Sequence, residues 1–193
     1  MLNVSEMNVF RTILILAFAF LAVFGEATLS APRHLLGAQV DLLPALMVYA
    51  ALNTGLPTIA LLSVLGGLWF DALSANPLGI SILPLAAIGW PLYWRRDLIL
   101  RDLPFAQFVL GAVASAAAPA LTLLLLLSGG RELLLGWGTL WQWIVMTAVG
   151  AVVTPFIFEL MAACHRALGY QERVEPGFRI DREIQRSRKK LRP

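Results

Sequence analysis

Four carboxylates interrupt long apolar runs in this chain: Glu26, Asp41, Asp71 and Glu159. An ionisable group in such surroundings is expensive. It is kept where it pairs, relays a proton, binds a ligand or holds backbone donors. Acid–base catalysis or metal binding would need companions, and the sequence supplies none in a recognisable spacing. There is no H-E-x-x-H, no P-loop, no G-x-S-x-G and no nucleophile set beside a histidine base. The single cysteine, Cys164, excludes an intrachain disulfide. With only His165 beside it and His34 far along the chain, it reads as a small apolar residue rather than a metal ligand. The expectation is therefore a non-enzymatic protein with no catalytic, cofactor-binding or metal-ligating residues and no cofactor. Its acids then serve structure or interaction.

Asp71 has the most informative context. It ends the run Gly66-Gly67-Leu68-Trp69-Phe70-Asp71, and Ser63, Gly67 and Asp71 share one helical face at i, i+4 spacing. That face is small, so Asp71 points into a bundle. A carboxylate at a helix C-terminus meets the negative end of the dipole. Relief is offered by Asn76-Pro77-Leu78-Gly79, which reads as an N-cap followed by proline at the first helical position. Asp71 is expected to accept hydrogen bonds from free N–H groups at the start of the next helix, locking a hairpin. Glu159 follows Thr154 and Pro155 and is expected to reach toward a polar interface or an arginine.

The elements that position these residues follow from hydropathy. Hydrophobic residues make up 59% and charged residues 14% of 193, against roughly 25% charged in soluble domains. Mean hydropathy is +0.75. Apolar segments fall at 8–28, 38–53, 57–73, 78–94, 104–128 and 138–163. Since ~20 helical residues cross a hydrocarbon core, the fold class is an all-α polytopic bundle of six transmembrane helices, five being the alternative count. The first segment lacks an A-x-A cleavage site and is read as a retained helix. Six crossings with a cytoplasmic N-terminus leave only Arg33 and Arg131, of 15 basic residues, outside. That asymmetry obeys the positive-inside rule. Trp90, Tyr93 and Trp94 then mark the inner headgroup level. Trp69, Trp137, Trp141 and Trp143 mark the outer one, with Glu26, Asp41 and Asp71 converging on the outer half.

The chain divides into a membrane domain, 1–163, and a basic cytoplasmic tail, 164–193. The tail carries nine Lys/Arg and four acidic residues, and is expected either to be drawn to anionic lipid or to stay a mobile solvated segment, with no nucleic-acid partner. In the fifth segment, Gly111 to Ala120 is built from small residues and Leu121 to Leu127 is nearly all leucine, with Pro119 at the join. Small residues permit close helix packing, and packing inside the bundle is favoured over a partner interface.

The block Gly66 to Gly79 resembles the signature of the MreD family of rod shape-determining membrane proteins, in which a glycine-containing helix ends in Asp before a small turn and Pro-Leu-Gly. Val40-Asp41-Leu42-Leu43 resembles the family's Asp-Leu-Leu start of helix two. Pro44, which interrupts that helix, and the long basic tail depart from the pattern. The resemblance implies structural or interaction roles for Asp41, Gly66, Gly67, Asp71, Asn76, Pro77 and Gly79, to which Glu159 is added from its position alone. It also implies a scaffold subunit of the elongasome that binds an MreC-like membrane protein. Such a subunit acts with MreB filaments, directly or indirectly, and with RodA and a class B penicillin-binding protein synthase in lateral peptidoglycan synthesis and cell-shape maintenance. The family is similar in fold to the S-components of ECF transporters. The alternative function is accordingly the substrate-binding subunit of a vitamin-type transporter.

Overall fold

The computed structural model describes residues 4–28, 37–74, 76–99, 103–130 and 136–167. The basic tail beyond 167 and the residues Arg33, Arg101 and Arg131 lie outside them. Residues 1–160 form one compact unit and 161–193 a second, of which 161–167 are described. Those seven are the last turns of the sixth helix and carry the free thiol Cys164.

Six helices and no strand occur among the described residues: α1 (Val4–Thr28), α2 (Leu43–Asn53), α3 (Leu56–Leu73), α4 (Ile82–Arg95), α5 (Pro104–Ser128) and α6 (Trp137–Ala167). Within α3 the turn Leu62–Gly66 widens to π geometry. A 3₁₀ turn, Arg96–Leu98, follows α4. Four of the helices, α1, α3, α5 and α6, contain spans long and apolar enough to cross a membrane. The six expected apolar segments are thus four long helices and two short ones. With 11 and 14 residues, α2 and α4 reach only about 16 and 21 Å at 1.5 Å per residue.

Both short helices start later than the hydropathy suggests, for identifiable reasons. Pro44 lies in the first turn of α2, where its missing N–H is no loss, so it opens that helix instead of interrupting it. Residues 39–42 before it are not helical. In the fourth segment, Asn76 and Pro77 do not form the N-cap and first position. Gly79 has φ +89°, a left-handed conformation that ends any helical run through it. The chain turns from Pro77 to Ser81, and α4 begins at Ile82.

Helix α2 is buried on every side from Leu43 to Leu52. A helix apolar all round belongs in a core. In lipid that burial also protects its irregular flanks, because backbone groups outside a helix are tolerated only where protein or a cavity covers them. The other helices close around it. Gly89 of α4 leaves room where an added Cβ would lie 2.7 Å from Met47 of α2 and Ile59 of α3. Phe158 of α6 meets Tyr49 edge-on at 5.0 Å. Thr12 of α1 shares a 2.7 Å hydroxyl hydrogen bond with Thr58 of α3. Phe20 packs edge-on to Trp69 at 5.4 Å between the same two helices.

Small residues of α5 do pack internally. Gly111 lies against Thr154 and Gly150 of α6, and Gly150 lies against Ser115, with no space for a Cβ at either glycine. The outward faces of α1, α5 and α6 instead carry Ile13, Leu21, Leu124, Ile144 and Phe156, all exposed. An apolar exterior around an apolar core is the surface of a protein dissolved in lipid.

Candidate functional site

Three of the four acids gather around the start of α2. The first N–H groups of a helix have no partner within it. Buried as α2 is, these need acceptors from elsewhere. Glu26, near the end of α1, supplies one: its Oε1 accepts the Leu42 N–H at 2.8 Å. Asp41 supplies another, its Oδ1 accepting the Leu43 N–H at 2.9 Å. Negative charge at that position also meets the positive end of the helix dipole. Oε2 of Glu26 is buried without a hydrogen-bond partner among the described residues.

Asp71, 2% exposed, accepts hydrogen bonds across the hairpin, from Ser81 and not from the Asn76–Gly79 stretch where the sequence placed the helix start. Its Oδ2 accepts the Ser81 N–H at 3.1 Å and its Oδ1 the Ser81 hydroxyl at 2.5 Å. Ser81 immediately precedes α4, so the carboxylate of one helix caps the next. The glycines of the block allow this approach. A Cβ on Gly67 would stand 2.9 Å from the backbone nitrogen of Ile82, and one on Gly66 would stand 3.3 Å from Leu43 of α2. Two adjacent glycines at the edge of the π turn thus face two different helices. Ser74 and Asn76 shape the connection, the Asn76 N–H donating to Ser74 Oγ at 3.3 Å.

A cavity of about 300 Å³ opens between this cluster and α5–α6, lined by Gln39, Asp41, Asn76, Ser81, Thr122 and Gln142 on its polar side. Gln142 fixes the non-helical approach to α2 from across the bundle. Its Oε1 accepts the Gln39 N–H at 3.3 Å, and its Nε2 donates to the Gln39 carbonyl at 3.2 Å.

The opposite end of α2 is held differently. Thr54 donates both its N–H and its hydroxyl to the Ala50 carbonyl, at 2.9 and 2.6 Å. Asn53 Nδ2 donates to the Tyr49 carbonyl at 3.0 Å. Arg96 Nη1, arriving from beyond α4, donates to the Thr54 carbonyl at 3.1 Å while its guanidinium lies 4.5 Å over the Tyr93 ring.

Glu159 stands apart from these acids, exposed on α6. Among the described residues no three His, Cys, Asp or Glu side chains are grouped to hold a metal ion. Sequence reasoning passed over Ser81, although a serine just before the apolar run of α4 is a recognisable N-cap signal. It had no means of finding Arg96 or the Gln39–Gln142 pair, which join residues 42 and 103 positions apart. No protein-family model, curated protein or solved structure matches this chain.

Proposed function

We propose that this chain is a non-enzymatic scaffold subunit of the bacterial cell-elongation complex, of the MreD type. It crosses the cytoplasmic membrane six times with both termini in the cytoplasm. The short helices α2 and α4 complete their crossings with the non-helical segments 39–42 and 76–81. Its partners are an MreC-like membrane protein, the RodA and class B penicillin-binding protein synthase, and MreB filaments. Anionic lipid binds the basic tail.

The observation that carries this reading is the use made of the block from Gly66 to Gly79. Gly67 brings α3 against α4, Gly79 turns the chain, and both oxygens of Asp71 are spent on Ser81. The residues behind the family resemblance thereby build a closely packed hairpin, which supports a structural use of that block. The distribution of basic residues supports the orientation.

The test is co-purification from bacterial membranes, with crosslink mapping of whatever is retained. Stoichiometric recovery of a single-pass, coiled-coil MreC-like protein is the expected result. Recovery of no elongation protein, with unchanged cell shape on depletion of the chain, would overturn the proposal.

A further inference from the structure

The cavity beside α2 has an uneven supply of hydrogen-bonding groups. Ser81 has given its hydroxyl proton to Asp71, and Thr122 has given its own to the Ala118 carbonyl at 3.0 Å. The Gln142 amide nitrogen donates to the Gln39 carbonyl and to Met146 Sδ. What these three residues can still present to the cavity is oxygen lone pairs. Asp41 adds a carboxylate whose Oδ1 holds the Leu43 N–H and whose Oδ2 accepts from no described residue. No basic side chain is among the described lining residues. The positive end of α2 is already answered by Glu26 and Asp41, so it adds no call for an anion. Asn76 and Gln39 also bring side-chain amides to the lining, each with an oxygen able to accept.

The remaining wall is apolar, formed by Phe70, Leu85 and Leu126 among others. A volume of about 300 Å³ lies at the lower edge of the ~300–1,000 Å³ usual for small-molecule sites. A bare metal ion would leave most of that space and wall unused. A donor-rich head on a short apolar body uses both.

We propose that this cavity is a binding site for a small primary alkylammonium, its –NH₃⁺ held by Asp41 Oδ2 with Ser81 and Thr122 and its alkyl body against Phe70, Leu85 and Leu126. An ammonium offers three donors and no acceptor, the complement of the lining. The proposal stands on the cavity and is independent of the scaffold reading, which survives its failure.

The test is thermal unfolding of the purified full chain in detergent with n-pentylammonium chloride. Pentan-1-ol, sodium pentanoate and sodium chloride at equal concentration serve as neutral, anionic and ionic-strength comparisons. The ammonium is expected to raise Tm by roughly 3 °C at saturation, and the three others not to. Asp41→Asn keeps an oxygen for the Leu43 N–H and is expected to abolish the rise. Thr122→Leu, which fills the cavity and leaves every carboxylate in place, is expected to abolish it too. An equal rise with pentanol would make the site merely apolar, and a rise with sodium chloride would make it a salt effect. No rise with the ammonium, or one that persists in either variant, would equally overturn the assignment.

Discussion

The two ends of α2 pose one problem and receive opposite answers. A short helix enclosed by protein leaves unpaired N–H groups at one end and unpaired carbonyls at the other. At the first end the acceptors are carboxylates, Glu26 and Asp41, with Asp71 capping the neighbouring helix close by. At the second end the imported donor is the Arg96 guanidinium. Each sign of charge suits the dipole it meets. The surroundings differ, however. Asp71 is buried, whereas the Arg96 side chain is 38% exposed and its ion-pair partner Asp97 is 93% exposed. The Ser81 groups that Asp71 caps are buried away from water, whereas the Arg96 end is partly open to it. The acid end should therefore be the costlier one to disturb.

Asp71→Ala provides the strongest break. It strands a buried N–H and a buried hydroxyl on Ser81, each costing about 1–3 kcal/mol when unpaired. A loss of about 3 kcal/mol is expected, read as a fall in Tm and in membrane levels. Asp71→Asn keeps one acceptor oxygen and should recover about half of that. An alanine variant as stable as the wild type would remove the basis for ranking the two ends.

How much of this was legible in the sequence depends on whether the interaction is local. The span of α5 follows hydropathy from Pro104 to Ser128, and α3 lies within a residue of expectation. Asp71 was legible because glycine spacing and a following turn placed a capping need within ten residues. The starts of α2 and α4 were not, since hydropathy cannot see that Gly79 adopts positive φ or that the chain before Pro44 runs non-helically. Arg96 and Gln142 act across the fold, and no periodicity reports such pairs. The cavity depends on where α5 passes Asp41, which is a tertiary fact.

Glu26 sharpens the comparison by separating hydrogen bonding from charge. Glu26→Ala removes the acceptor for the Leu42 N–H and should cost about 1–2 kcal/mol. Glu26→Gln keeps that acceptor and replaces an unpaired buried oxygen with a neutral group. It should match or exceed wild-type stability, because an unpartnered amide is cheaper to bury than a charge. Denaturation in detergent would compare the three. A glutamine variant as damaged as the alanine would show that the charge itself is needed there.

Arg96→Ala tests the wetter end. The losses are one hydrogen bond to a carbonyl and an exposed cation–π contact, about 1 kcal/mol together. Water can replace part of the bond, and the 3.8 Å pair with Asp97 is exposed enough to add little. The difference between variant and wild type should narrow further in 1 M salt, while that of Asp71→Ala should not. A salt-independent loss as large as that of Asp71→Ala would show that both ends are equally dry.

The smallest expected effect decides whether the two ends communicate. Eleven residues separate the caps by about 16 Å along the axis, beyond the distance at which mutational effects usually couple. A double-mutant cycle between Glu26→Gln and Arg96→Ala should therefore close within about 0.5 kcal/mol. The helix dipole argues weakly the other way, since both charges act on one column of peptide groups. Its influence fades within a turn of each end, so it supplies little coupling. A coupling above about 1 kcal/mol would mean that α2 moves as a unit when either cap is lost. The buried helix would then be a transmitting element between the cavity end and the Arg96 end, not two independently capped termini.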